Sequence, residues 1–79
     1  MYFVYILQSD QDATFYVGFS ENIEQRVEEH NRHLAKYTST KAPYRLVWYG
    51  AFRDKKTALS FEKYLKSSSG FAFRNKHLL

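Results

Sequence analysis

The sequence predicts an α+β fold, a small three-stranded antiparallel sheet flanked by helices in the order β-β-α-β-α-α. Three observations carry that prediction. Tyr2 to Leu7 is an unbroken run of aromatic and aliphatic side chains, the pattern of a strand covered on both faces. Two further strand-like segments, Phe15 to Phe19 and Tyr44 to Phe52, are set off by polar or Pro-containing stretches. Between and after them run segments with helical periodicity, the first two opening on residues suited to capping. Helices packed on the faces of a short antiparallel sheet satisfy that order of elements.

The first strand runs into Gln8-Ser9-Asp10-Gln11-Asp12, a polar turn, so the first two strands are expected to form a hairpin with Tyr5 and Tyr16 on neighbouring strands. Gly18, near the end of the second strand, predicts a bulge or a close approach of the backbone to another group. Asn22 is the expected N-cap of the first helix, with Gln25 in the capping-box position and Glu24 favourably placed near the positive end of the helix dipole. Ile23, Val27, His30 and Leu34 form its apolar side, with Arg26 and His30 together on one flank. A long loop from Ala35 to Ala42 ends at Pro43, and the third strand follows, with Gly50 as a candidate bulge. Asp54 caps the next helix, whose apolar positions include Ala58, Leu59, Phe61 and Leu65, and Glu62 points along their side. Ser67-Ser68-Ser69-Gly70 is expected to break that helix, leaving a last helical turn or two from Phe71.

A chain of 79 residues makes one domain, residues 1–79, with one modest core. Seven Tyr, seven Phe and one Trp partly offset the small size, because a buried aromatic removes ~150–250 Å² from water. The lack of cysteine excludes disulfides, thiolate metal sites and a cysteine nucleophile. The apolar run Tyr2 to Leu7 is too short for a membrane span and lacks a cationic leader, so a soluble, cytoplasmic protein is expected. The net charge of +4 is unevenly distributed. Residues 1–31 hold six acids against Arg26 alone, whereas residues 32–79 hold eleven bases against Asp54 and Glu62. Such a basic region suits a polyanionic partner and equally suits a solvated surface that keeps a small protein in solution.

Phe3-Val4-Tyr5 and Tyr16-Val17-Gly18, followed by Arg26 and much later by Glu62, resemble the signature of the GIY-YIG nuclease superfamily. The resemblance runs from about Tyr2 to Leu78 and is nearest to small single-domain members related to the N-terminal nuclease domain found in excinuclease ABC. Two positions depart from the pattern. Phe3 stands where the first tripeptide has glycine, and Phe19 where some members carry a lysine.

The resemblance implies a divalent-metal-dependent endonuclease acting on nucleic acid, DNA in the first place, in repair or processing. It implies Mg2+ or Mn2+ held by Glu62, Arg26 facing the scissile phosphate, and Tyr16 with Tyr5 positioning or deprotonating the nucleophile. His30 takes the place of a histidine that carries a proton or binds phosphate in some relatives. Asn75 falls in the region of an asparagine near the last helix. The chemistry is consistent with the residue types, since hydrolysis of a phosphodiester needs an activated water and positive centres on the developing charge. The alternative is a nucleic-acid-binding module of the same fold without turnover.

Gly18, Lys41, Lys63, Lys66 and Asn75 are the expected contacts to nucleic acid. The segment Tyr37-Thr38-Ser39-Thr40-Lys41 suits backbone phosphate contact and is equally explained as a solvated loop. Structural alternatives stand beside each assignment. Glu62 could answer a lysine or a buried tyrosine, Arg26 could pair with Glu28 or Glu29, and Tyr5 could be core. His30 and His33, without further ligands nearby, are not expected to bind zinc.

Overall fold

A computed structural model describes residues 1–32 and 41–79. The elements are β1 (Tyr2–Ser9), β2 (Phe15–Ser20), α1 (Ile23–Asn31), β3 (Tyr44–Phe52), α2 (Lys55–Leu65) and α3 (Ser68–His77). They bear out the expected order and fold class. The strands form one antiparallel sheet in the order β2-β1-β3, so β1 is central and β2 lies at an edge. That placement is why β1 is apolar throughout: Val4, Tyr5, Ile6 and Leu7 are all 0% exposed.

Alternation along the strands divides the core in two. On one face Val4, Ile6 and Val17 pack with Ala58 and Leu65 of α2, and Phe73 and Leu78 close the cluster. On the other, Tyr5 and Leu7 pack with Ala42 and Tyr44, and with Tyr16 and the α1 residues Ile23 and Val27. Thus α1 covers the face that carries both tyrosines of the motif, and α2 with α3 covers the opposite one.

Both expected caps form. The Asn22 side chain accepts from Gln25 N at 3.1 Å, and that of Asp54 from Thr57 N at 2.9 Å. The reciprocal half of the capping box does not form. Asn22 N donates instead to Ser20 Oγ at 2.9 Å, while the Gln25 amide turns to Glu29. A hydroxyl two residues back reaches the orphan N–H first.

The last helix starts earlier than expected, at Ser68. Ser67 donates to Tyr64 O at 2.6 Å and accepts from Gly70 N at 3.2 Å, so one hydroxyl ends α2 and begins α3. Gly70 permits the tight junction, since a Cβ there would overlap the Tyr64 carbonyl oxygen. A bulge occurs in β3, but at Val47, between the pairs Ile6↔Trp48 and Leu7↔Leu46. Gly18 and Gly50 are instead regular partners of Tyr5 and Val4.

The start of β3 is held from two sides. Buried Ser9 donates to Lys41 O at 2.6 Å, and Asp10 N to Pro43 O at 2.9 Å. From α1, the Asn31 amide donates to Tyr44 O at 3.0 Å and accepts from Tyr44 N at 2.6 Å. These bonds fix the Tyr44 ring over α1's inner face. Leu34, His33 and the expected loop segment 35–40 lie outside the described residues.

Candidate active site

The site is built around the tyrosine face of the sheet. Tyr5 pairs with Gly18 and Leu7 with Tyr16, so Tyr5 and Tyr16 lie diagonally on one face, their ring centroids 6.4 Å apart. The last turn of α1 places His30, 0% exposed, among these rings. Its ring centroid is 4.9 Å from that of Tyr16, 6.1 Å from Tyr5 and 6.0 Å from Tyr44. Tyr5 Oη and His30 Nε2 share a hydrogen bond of 3.1 Å.

One turn back along α1, Arg26 lies beside the Tyr5 hydroxyl. Its Nη1 donates to Glu29 Oε2 at 2.9 Å, and its buried Nε has no partner among the described residues. The electrostatics follow from burial and from this cation. Burial pushes the Tyr5 phenol up to about 12, with Arg26 pulling the other way. Burial first, and then the Arg26 charge, push His30 below its ordinary value, Glu29 opposing. At neutral pH the cluster therefore holds a protonated phenol and an uncharged imidazole beside a permanent cation.

Glu62 comes from the other helical layer. The Tyr5 ring lies over Gly18 on the edge strand, and the Glu62 carboxylate is near enough to oppose ionisation of its hydroxyl. The edge of β2 is where the two layers meet. Glu62 is mostly buried, and its Oε2 accepts from Lys66 Nζ at 2.9 Å, four residues on in α2. No cluster of three His, Asp or Glu side chains able to hold a metal occurs among the described residues.

Tyr5, Tyr16, Arg26 and His30 are thus brought together, with Glu62 reaching their edge. The remaining candidates are more scattered. Gly18 is buried, and the close approach expected there is made by the Tyr5 ring. Lys41 pairs with Asp12 at 3.1 Å, beside the hairpin turn. Lys63 is exposed at a shallow depression that it lines with Lys55, Lys56 and Leu59. Asn75 is exposed on α3. Sequence reasoning did not single out Tyr44, whose ring completes the wall around His30. Among fifteen aromatics nothing in its local sequence distinguishes it, because its position is set by Asn31.

The family described as the GIY-YIG catalytic domain matches residues 1–76. The chain belongs to the GIY-YIG family. A UPF0213 protein of Clostridium perfringens is 40% identical over 67 residues, spanning 84% of this chain and 71% of its own. A UPF0213 protein of Haloquadratum walsbyi is 39% identical over 67 residues, spanning 84% and 74%. The solution NMR structure of a UPF0213 protein from Bacillus halodurans superposes with a TM-score of 0.58 at 31% identity, covering 96% of this chain and 84% of that one. The fold and the family resemblance carried by the two tripeptides, Arg26 and Glu62 are borne out together. The GIY-YIG assignment makes this chain a member of a nuclease-domain family. No helix among the described residues is long and apolar enough to cross a membrane.

Proposed function

We propose that this GIY-YIG chain is an endonuclease that hydrolyses phosphodiester bonds in DNA, with Tyr16, Arg26 and Glu62 as its catalytic residues. What supports the proposal is that Arg26 and Tyr16 both lie beside Tyr5 on the α1 face of the sheet, while Glu62 of α2 is close enough to the Tyr5 hydroxyl to oppose its ionisation.

Tyr16 is partly exposed, so it can touch the attacking water and orient it or accept its proton. Tyr5 is fully buried, and its raised pKa keeps it a donor at neutral pH. It is a positioning residue here: with His30 it forms an uncharged hydrogen-bonded pair behind Tyr16, which also excludes water. Arg26 projects from the first half of α1, where the helix dipole favours an anion. With Nη1 on Glu29, its remaining terminal nitrogen is the donor for a phosphate oxygen, and the contact strengthens as charge develops there.

The donor chemistry at Glu62 fits a magnesium- or manganese-type ion, which takes one or two carboxylates and completes its shell with water and substrate oxygens. Glu62 Oε1 makes no hydrogen bond with a described residue and is the group that would hold it. When bound, such an ion supplies positive charge to the phosphate and a more acidic water. With an ion on Glu62, Lys66 would no longer be needed by the carboxylate and could meet a phosphate. An i,i+4 ion pair of this exposure contributes only about 0.3–0.5 kcal/mol, so its loss is a small cost.

A second reading, a nucleic-acid-binding module without turnover, is favoured by one observation. Glu62 and Arg26 are each ion-paired within their own helix. Incubation of the purified protein with supercoiled, single-stranded and branched DNA, with and without manganese, separates the two. Manganese-dependent cleavage of any substrate supports the enzyme, and retention of all three uncut supports the module.

A further inference from the structure

Arg74 is anomalous. It is only 8% exposed, yet no acidic side chain among the described residues lies within ion-pair distance of it. Its guanidinium lies against two aromatic rings, with Cζ 5.0 Å from the Phe15 centroid and 4.6 Å from that of Phe71. Its Nε is buried without a partner among the described residues, and its terminal nitrogens are not among the buried, unpartnered atoms. A guanidinium buried without a counter-charge is costly, and two cation–π contacts offset only part of that cost. Burial lowers its pKa and no acidic neighbour opposes the shift.

Two rings so close to Cζ restrict the guanidinium, whose planar fork of donors matches a bidentate anion. The surroundings select which anion. From residue 55 onward the chain carries Lys55, Lys56, Lys63, Lys66, Arg74 and Lys76 against Glu62 alone. Phe15 opens β2 directly beside Tyr16, and the alternation of the strand puts their rings on opposite faces of the edge strand. The fork therefore lies just across the β2 edge from the tyrosine cluster.

The geometry points to Arg74, lying against Phe15 and Phe71, as a binding site for a backbone phosphate of a nucleic-acid strand that passes over the β2 edge. This rests on the nuclease reading for the identity of the anion and not for the existence of the site. The charge is retained in a desolvated position because the ligand supplies its counter-charge.

The test uses a short fluorescein-labelled single-stranded DNA and fluorescence anisotropy across a salt series, with thermal melting of each protein. Arg74→Met keeps the stem's packing and removes the charge. It is expected to melt at or above the wild-type temperature, to bind roughly tenfold more weakly, and to lose about one unit of salt slope. Wild-type affinity and slope in the folded variant overturn the site. A measurement on the wild type guards against a variant that fails to fold: the Arg74 Nε–H resonance should shift as the DNA is added, and a resonance that stays in place overturns the site equally. The two readings fail separately. Wild-type protein that never cleaves but loses binding with Arg74→Met leaves the phosphate site standing and removes the nuclease. Cleavage that persists with unaltered DNA binding in Arg74→Met does the reverse.

Discussion

Gly18 leaves open the space that the Tyr5 ring fills: a Cβ at position 18 would overlap the Tyr5 oxygen and Cζ and lie 2.9 Å from Cε1. The two residues are cross-strand partners, and the ring is rigid and fully buried, so it cannot yield by rotating a flexible end. Gly18→Ala is therefore expected to displace Tyr5 from His30 and to cost about 1–3 kcal/mol of stability. Urea unfolding checks the cost, and the His30 ring resonances report the broken contact. An unchanged midpoint would mean that the sheet edge opens easily and that the glycine serves another purpose.

Arg26→Ala should slow cleavage roughly 100- to 1,000-fold while leaving DNA affinity little changed, because the proposed contact is strongest in the transition state. Single-turnover kinetics at saturating protein give this directly. A loss confined to affinity would make Arg26 a docking residue, and its bond to Glu29 the main feature of its position.

The histidine at the centre of the cluster sets a pH dependence of stability. In the folded chain His30 has a pKa below 6.5, chiefly through burial and then through Arg26, while Glu29 opposes. The unfolded chain thus takes up this proton first as pH falls. The stabilisation is complete above about pH 6.5 and declines as pH drops, until the folded imidazole is protonated too. Urea midpoints from about pH 8 to pH 5 should fall in the wild type and fall less in His30→Gln. Parallel curves would show that the decline comes from groups other than His30.

Much of this was legible in the sequence, and the exceptions share a cause. The run Tyr2 to Leu7 could be read as a strand covered on both faces because its apolar pattern is continuous, and Asn22 and Asp54 announced their helices because capping is a local matter. The bulge at Val47 was not legible, since Gly50 offered a local signal and the actual irregularity is set by the pairing of β3 with β1. Ser67-Ser68-Ser69-Gly70 looked like a breaker because serine both ends and begins helices, and the close packing of Gly70 on Tyr64 decides the matter. For the candidate site, the family resemblance grouped Tyr5, Tyr16, Arg26 and Glu62. The Lys66–Glu62 pair is local, four residues apart along α2, and a lysine partner for Glu62 was open from the sequence; that Asp12 would hold Lys41 is a tertiary result, as is the burial of Arg74 against two rings.

Lys66→Ala frees the Glu62 carboxylate from its competitor. In the proposed enzyme the manganese concentration giving half-maximal cleavage should fall severalfold, measured at saturating DNA so that the lost lysine does not confound the result. A threshold that stays the same or rises would show that the ion pair does not compete with metal, and would weaken the assignment of Glu62 as its ligand.

If Glu62 holds the ion on which cleavage depends, a comparison of the wild type with Glu62→Gln on supercoiled DNA along a manganese titration shows it. The amide keeps the shape and loses the charge, and it still accepts from the half-exposed Lys66, so melting without metal should stay within about 0.5 kcal/mol, the worth of an i,i+4 helix pair. Cleavage should fall at least about 100-fold at every manganese concentration. Cleavage by Glu62→Gln at the wild-type rate would contradict the account and leave Glu62 as the structural partner of Lys66.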